Sequence, residues 1–124
     1  MTEKKLVLVV DDDDSVRRLV TSALKKLNCD VIEARSGDAG LVEIRKCRPD
    51  LIVLDIMMPN MLGDEVLSKI SEDPALDGMP VLVVSGVKDP DRISRLMERP
   101  GANFLSKPFS VATFIQKVRQ MLEL

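Results

Sequence analysis

The sequence predicts a single α/β domain, an open and doubly wound sheet of five parallel strands with five helices layered on both faces. Continuous apolar runs alternate along the chain with segments whose apolar residues recur at helical spacing. The clearest run is Leu51–Leu54, which lies between Pro49 and Pro59, and these are too close together for an ordinary helix. Such an unbroken run is typical of a parallel strand covered on both faces. Each crossover is long enough to join parallel strands.

The first half of the chain predicts two strands and two helices. Leu6–Val10 is the first strand, β1, and Asp30–Ala34 is the second, β2. Between them helix α1 is expected to be capped by Asp14 or Ser15 and to end at Asn28. Its apolar stripe contains Val16, Leu19, Val20, Ala23, Leu24 and Leu27. Helix α2 follows a turn at Ser36-Gly37-Asp38 and is expected to run to about Cys47, where Pro49 stops it.

The third strand, β3, is the run Leu51–Leu54. A loop at Asn60–Gly63 is expected to lead into helix α3 at Glu65–Ser71. Asp73–Pro80 contains two prolines and one glycine, which indicates a connection rather than an element. Val81–Val84 then predicts strand β4.

The last part of the chain predicts two helices and one strand. Asp89-Pro90 pairs a capping residue with a proline at the first helical position and starts helix α4, which Arg99-Pro100-Gly101 ends. Asn103–Ser106 is expected to be a short strand, β5. Ser110 caps helix α5, whose apolar stripe continues to Leu122.

Composition excludes several classes of function. The 124 residues carry a net charge of −2, with no Trp, no Tyr and three Phe, which argues against direct binding of DNA or RNA. Cys29 and Cys47 lack metal-ligand spacing, and no His joins them, so both are expected to be reduced thiols. The first apolar run has only five residues, too few for a signal peptide or a membrane span. We therefore expect a cytoplasmic protein without membrane contact.

Polar residues follow four of the predicted strands. Asp11-Asp12 follows β1, Asp55 follows β3, Ser85 follows β4 and Lys107 follows β5. Because the carboxyl ends of parallel strands share one edge, these side chains are expected to converge where ligands bind. Three neighbouring carboxylates raise one another's pKa unless a cation lies among them, and oxygen ligands suit Mg²⁺. The ammonium and the hydroxyl would complete a site for a phosphoryl group.

These motifs carry a family resemblance. They are the acid pair Asp11-Asp12, Asp55 in Asp-Ile-Met-Met-Pro-x-x-x-Gly, Ser85-Gly86, and Lys107-Pro108-Phe109. In this order and spacing, from Leu6 to Leu122, the chain resembles the response-regulator receiver domains of two-component signalling. The resemblance implies a flavodoxin-like fold with strand order 2-1-3-4-5, for which the chemotaxis receiver is a general example.

The resemblance also implies the role of each site residue. Asp55 would accept a phosphoryl group from a sensor histidine kinase, a phosphotransfer protein or a small acyl phosphate. Ser85 and Lys107 would each contact a phosphoryl oxygen. Mg²⁺ would be held by Asp11, Asp12, Asp55 and the backbone carbonyl of Met57. The protein would catalyse only its own phosphorylation and dephosphorylation, so it would not be an enzyme in the usual sense.

The resemblance also implies residues that transmit the signal and residues that set the lifetime of the phosphorylated form. Phe104 matches the aromatic switch residue, which would turn inward when Ser85 moves and so change the α4-β5-α5 face. Met57 and Val87 flank the approach of water to the phosphoryl group and are apolar, so a long-lived phosphorylated form is expected. The Lys107-Pro108 bond is commonly cis in this family. Here Gly101-Ala102 lies one residue closer to the aromatic position than is usual, so the join between α4 and β5 is expected to differ.

Other functions remain as alternatives. A phosphorylation-independent pseudo-receiver would not need the intact acids, hydroxyl and lysine. A haloacid-dehalogenase-like phosphatase needs a second acid two residues after Asp55, where Met57 stands. A flavodoxin-like nucleotide binder would be disfavoured by Asp11–Asp14, which repel phosphate. We expect residues 1–124 to be one receiver domain without an output domain, a monomer or a phosphorylation-promoted dimer. The sequence does not identify its downstream target.

Overall fold

The computed structural model describes residues 4–58, 63–76 and 78–124 and confirms the predicted fold class. The five strands form one parallel sheet in the order β2-β1-β3-β4-β5. The strands are β1 (Leu6–Val10), β2 (Asp30–Ala34), β3 (Leu51–Leu54), β4 (Val81–Ser85) and β5 (Ala102–Ser106). The helices of the described chain are α1 (Asp14–Lys26), α2 (Gly37–Cys47), α3 (Gly63–Glu72), α4 (Pro90–Met97) and α5 (Val111–Leu122). None of these helices is long and apolar enough to cross a membrane.

Two apolar cores cover the two faces of the sheet. Along β1, Leu8 and Val10 belong to the core that contains α2, α3 and α4 residues, whereas Val7 and Val9 belong to the core with α1 and α5. All four residues of β3 are buried, which explains their unbroken apolar run. Because successive side chains of a strand point to opposite faces of the sheet, each central strand contributes to both cores.

The strand register brings the polar strand ends together. Val10 of β1 pairs with Leu54 of β3, so the residues after these two strands are neighbours at one edge. The Asp55 backbone N–H donates to the Val10 carbonyl at 3.0 Å, which continues this pairing. On the other side of β3, the Lys107 N–H donates to the Ser85 carbonyl at 2.9 Å. The backbone ladder itself thus positions the polar edge.

The helices carry acidic side chains near their N-terminal ends and basic side chains near their C-terminal ends. Acidic residues lie in the first turns of four helices, as Asp14, Asp38, Asp64, Glu65 and Asp91. Basic residues lie in the last turns of all five, as Lys25, Lys26, Arg45, Lys46, Lys69, Arg95 and Arg119. Each sign complements the partial charge of its helix end. Because each of these helices starts at the carboxyl edge of the sheet, the first-turn acids lie at that edge and the last-turn bases lie at the opposite edge.

The start of α1 differs from its prediction. The N-cap is Asp13, whose carboxylate accepts from the backbone N–H groups of Ser15 at 2.8 Å and Val16 at 3.3 Å. The prediction of Asp14 or Ser15 as the cap was wrong, because both already have helical positions and only Asp13 has the extended backbone of a cap. Leu19, which was assigned to the apolar stripe, is 45% exposed.

Two helices have different bounds from those predicted. Helix α3 begins at Gly63, which the prediction had placed in the preceding loop, and residues 60–62 of that loop lie outside the described residues. Helix α4 ends at Met97 with its cap at Glu98, earlier than predicted.

A turn explains the short join between α4 and β5. Gly101 has a φ of +85°, and a Cβ built on it would lie 2.8 Å from the Gly78 carbonyl oxygen, so both conformation and space require glycine. The Ala102 N–H donates back to the Arg99 carbonyl at 3.2 Å, closing the turn. Ala102 then pairs with Val81, so β5 starts one residue earlier than predicted. This turn makes the join between α4 and β5 in this chain.

Candidate functional site

Three carboxylates meet at the carboxyl edge of the sheet. One carboxylate oxygen from each of Asp11, Asp12 and Asp55 lies within 4.8 Å of the other two. Asp11 and Asp55 are buried, with 3% and 6% of their surface exposed, whereas Asp12 is exposed. The cluster is thus closed on the side of the sheet and open on the side of Asp12.

Lys107 lies between the two buried acids. Its Nζ is 3.3 Å from Asp11 Oδ2 and 3.7 Å from Asp55 Oδ2. The other oxygens of these carboxylates accept backbone bonds: Asp11 Oδ1 from the Asp13 N–H at 2.9 Å, and Asp55 Oδ1 from the Met57 N–H at 3.3 Å. The following Lys107-Pro108 peptide bond is cis, as the resemblance implies. The predicted convergence of the acids and the lysine is therefore present in the structure.

Burial raises the pKa of the Asp55 carboxyl above its ordinary value, and the neighbouring Asp11 raises it further. Lys107 and the Met57 N–H act in the opposite direction, and Asp12 adds a smaller increase. The single ammonium does not offset burial and two neighbouring acids. A divalent cation would supply the missing positive charge.

The donor set fits Mg²⁺ and not a softer metal. All three side chains offer hard carboxylate oxygens, and no His occurs in the chain. Because Asp12 leaves one side open to solvent, the cation would keep several of its waters, as Mg²⁺ prefers. The acid cluster is thus suited to an open magnesium site.

Ser85 lies fully buried at the end of β4. Its Oγ accepts a hydrogen bond from the Val87 N–H at 3.2 Å, which leaves the hydroxyl proton available for another acceptor. Through its carbonyl, Ser85 is also joined to the Lys107 backbone. The hydroxyl and the ammonium are therefore carried by adjacent strand ends.

Three side chains are expected to act in the switch or to set the lifetime of the phosphorylated form, and they have different surroundings. Phe104 and Val87 are half-buried and pack against the core shared by α2, α3 and α4. Phe104 pairs with Val83 in the sheet, two residues before Ser85. Met57 is 55% exposed, and its Sδ lies 3.7 Å from Nη1 of Arg92. The roles of these three side chains stay predictions.

Close packing explains why the motif Asp-Ile-Met-Met-Pro-x-x-x-Gly ends in glycine, which is Gly63. A Cβ at this position would lie 2.7 Å from the Ile56 Cα and 2.8 Å from the Asp55 carbonyl oxygen. The Gly63 N–H donates to the Ile56 carbonyl at 2.8 Å. A residue without a side chain therefore lets α3 begin directly against the residues that follow β3.

Two charged contacts near the site were not anticipated from the sequence. Arg17 is buried and donates to the Asp11 carbonyl at 2.7 Å. Arg92 of α4 forms a two-pronged ion pair with Asp64 of α3, at 2.7 and 3.4 Å, beside the Met57 side chain. Spacing offered a signal for Arg17, because it shares a helical face with the buried Val20 and Leu24. The Asp64–Arg92 pair joins residues 28 apart and has no local signal.

Comparison with known proteins agrees with this geometry. The family model described as the response regulator receiver domain matches residues 7–119. The chain is 38% identical over 119 residues to a probable transcriptional regulatory protein, TcrX, of Mycobacterium tuberculosis, covering 94% of this chain and 49% of that protein. It is 32% identical over 119 residues to the hybrid signal transduction histidine kinase D of Dictyostelium discoideum, covering 96% of this chain and 8% of that protein.

The fold is shared with solved receivers. The structure of the chemotaxis protein CheY4 of Vibrio cholerae superposes with a TM-score of 0.89 at 27% identity, covering 97% of this chain and 100% of that one. The chain spans half or less of the two curated relatives named above, so its single-domain organisation stays a prediction.

Members of this family take phosphoryl groups from histidine kinases onto an aspartate, and they generally bind Mg²⁺ at an acidic pocket. The matched residues include the acid cluster, the buried hydroxyl and the lysine at the strand ends. The chain belongs to the response regulator receiver domain family of two-component signalling.

Proposed function

We propose that Asp55 is the residue that accepts the phosphoryl group, from a phosphohistidine on a sensor histidine kinase or a phosphotransfer protein. The observation that carries this assignment is the position of the Lys107 ammonium between Asp11 and Asp55. An ammonium held there by two carboxylates is placed to meet a phosphoryl oxygen as one of those carboxylates becomes an acyl phosphate. Asp55 is the member of the pair that follows the central strand.

The transfer would exchange one bond for another. A carboxylate oxygen of Asp55 attacks the phosphorus, and the phosphorus–nitrogen bond of the donor breaks with its electron pair going to the imidazole nitrogen. Lys107 would offset the charge on one phosphoryl oxygen. The Ser85 hydroxyl would donate to another after its side chain moves towards the edge of the sheet.

The residues that would hold Mg²⁺ are Asp11, Asp12, Asp55 and the backbone carbonyl of Met57. When bound, the cation would supply positive charge that lowers the repulsion between the acids and the incoming phosphoryl oxygens. The chain would thus promote its own phosphorylation and dephosphorylation and act on no separate substrate.

Signalling would follow from the movement of Ser85. Phe104 is half-buried on β5 and pairs with Val83 of the same strand as Ser85, and it would fill the space that Ser85 vacates. Inward rotation of Phe104 would change the surface of α4, β5 and α5, and a protein partner or a second copy would recognise it.

Labelling with acetyl phosphate in the presence of Mg²⁺ tests the assignment. Mass spectrometry is expected to locate one acyl phosphate at Asp55, to find none in Asp55→Asn, and to find little in Asp12→Ala. The control Asp30→Asn, an exposed acid on β2, is expected to be labelled as the wild type is. Label at Asp13 or Asp14 would overturn the site, and absence of label in every variant would favour a phosphorylation-independent binding module.

A further inference from the structure

Arg17 is buried, which is unusual for an arginine. Only 6% of its surface is exposed, whereas its neighbour Arg18 is exposed on the same helix. Burying a guanidinium is costly unless its donors are all satisfied by acceptors of suitable geometry. The acceptors around Arg17 therefore indicate what this charge does.

The guanidinium joins three parts of the fold. Its Nη1 donates to the Asp11 carbonyl at 2.7 Å, a buried bond. Its Nε donates to Glu33 Oε1 on β2 at 3.2 Å, and its Nη2 contacts the Asp14 carboxylate in the first turn of α1. A planar guanidinium can satisfy three such directions at once, whereas the ammonium of a lysine is a single point charge.

Asp11 is consequently held at several atoms. Its carbonyl is bonded to Arg17, its Oδ1 to the Asp13 N–H and its Oδ2 to Lys107. The Asp11 carbonyl lies in the same peptide plane as the Asp12 N–H, so the bond from Arg17 fixes the plane between the two acids. The direction in which the exposed Asp12 carboxylate leaves the chain depends on that plane.

We propose that Arg17 is a positioning residue for the divalent cation, because it fixes the peptide between Asp11 and Asp12 and thereby keeps both carboxylates directed at one point. This inference rests on the cation site of the proposed function and does not depend on which residue is phosphorylated. Groups that orient metal ligands without touching the metal typically change metal affinity about 10- to 100-fold when replaced.

The test is a Mg²⁺ titration of the 124-residue chain followed by backbone amide shifts, with thermal unfolding in EDTA measured beside it. Arg17→Lys is expected to weaken Mg²⁺ binding about tenfold or more. The matched control Arg18→Lys is expected to leave the affinity unchanged. Glu33→Gln, which alters an exposed partner of the guanidinium without touching the Asp11 carbonyl, is expected to weaken binding by a smaller factor.

The outcomes separate this inference from the site on which it rests. If the wild type binds Mg²⁺ and Arg17→Lys binds it equally well while melting at a lower temperature, Arg17 has only a structural role and the inference is wrong. If the wild type shows no Mg²⁺ response at Asp11–Asp13, the cation site itself is wrong. Should Arg17→Lys fail to fold, Glu33→Gln decides, and unchanged Mg²⁺ affinity in that variant contradicts the proposal.

Discussion

Replacing Asp55 with asparagine is expected to raise the stability of the metal-free protein at neutral pH. Asparagine keeps the shape of the side chain and removes its charge. Burial and the neighbouring Asp11 raise the pKa of the Asp55 carboxyl, so the ionised form is the disfavoured one in the folded state. The folded protein therefore carries a cost at this position whenever no cation is bound.

The distances give the size of that cost. Two carboxylate oxygens within 4.8 Å of each other repel by at least about 3.5 kcal/mol at an effective dielectric constant of about 20. Lys107, at 3.7 Å, attracts Asp55 by about 4.5 kcal/mol on the same scale. Neutralising Asp55 loses this attraction, but Lys107 keeps Asp11 at 3.3 Å and is not left unpaired. Since repulsion from two acids and burial exceed the attraction, we expect a gain of about 1–2 kcal/mol.

Far-ultraviolet circular dichroism is the suitable assay, because the chain has no Trp or Tyr for fluorescence. In EDTA at pH 7, Asp55→Asn is expected to melt roughly 4–8 °C above the wild type. The raised pKa means that the folded state binds more protons than the unfolded state between the unfolded and folded pKa values. The stability from protonated Asp55 is fully present below the unfolded pKa and is lost as pH rises through the folded pKa, so the advantage of asparagine shrinks on acidification.

A control and a metal series complete the experiment. Asp30→Asn removes the same charge from an exposed position and is expected to change the melting temperature little. Mg²⁺ at tenfold excess over its dissociation constant would stabilise the wild type by about 1.4 kcal/mol and the variant by less. A melting temperature of Asp55→Asn in EDTA equal to or below that of the wild type would refute the reasoning.

Three further predictions concern the loops and the switch. The double variant Met57→Asn with Val87→Glu is expected to lose its phosphoryl group at least about tenfold faster than the wild type. Side chains that position the attacking water or act as a general base speed such hydrolysis by about 10²- to 10⁴-fold. An unchanged lifetime in a phosphate-loss assay would exclude a role of Met57 and Val87 in setting the lifetime. Gly63→Ala is expected to lower the free energy of unfolding in urea by about 1–3 kcal/mol, because the added Cβ would meet backbone atoms. In the control Gly86→Ala the added Cβ meets nothing within 4 Å, so the free energy of unfolding should change by no more than about 0.5 kcal/mol. Equal changes in the two variants would contradict the packing argument. Adding a beryllium-fluoride phosphate mimic is expected to shift amide signals from the acid cluster through Phe104 to α5, and shifts confined to the cluster would remove the switch.

The fold and the acid cluster could be predicted because both depend on patterns that are local in the sequence. An apolar run followed at once by Asp55 identifies a buried strand and its end. Parallel pairing then places the ends of all such strands at one edge, whatever their separation along the chain. That is why Asp11 and Lys107, which lie 96 residues apart, were expected to meet.

What could not be predicted depends on backbone geometry and on buried charge. Four consecutive aspartates are equivalent as capping candidates in the sequence, and the structure selects Asp13, which precedes the helix with φ −86° and ψ 113° and accepts from the first-turn N–H groups. Arginine counts as a surface residue in any hydropathy pattern, so the burial of Arg17 was hidden although its spacing fits the inward face. The turn at Gly101 follows from a close approach to Gly78, a contact distant in sequence.

The separation of the first-turn acids from the last-turn bases of the helices has a kinetic consequence that the net charge of −2 conceals. These helix-end charges make the edge that carries Asp55, the proposed phosphoryl acceptor, the more negative one. At physiological ionic strength fields reach about 8 Å, far enough to turn an approaching protein before contact. A phosphodonor with basic residues around its histidine would arrive correctly oriented, whereas a donor with an acidic rim would be turned away. Discrimination between kinases would then begin during diffusion and fade with added salt.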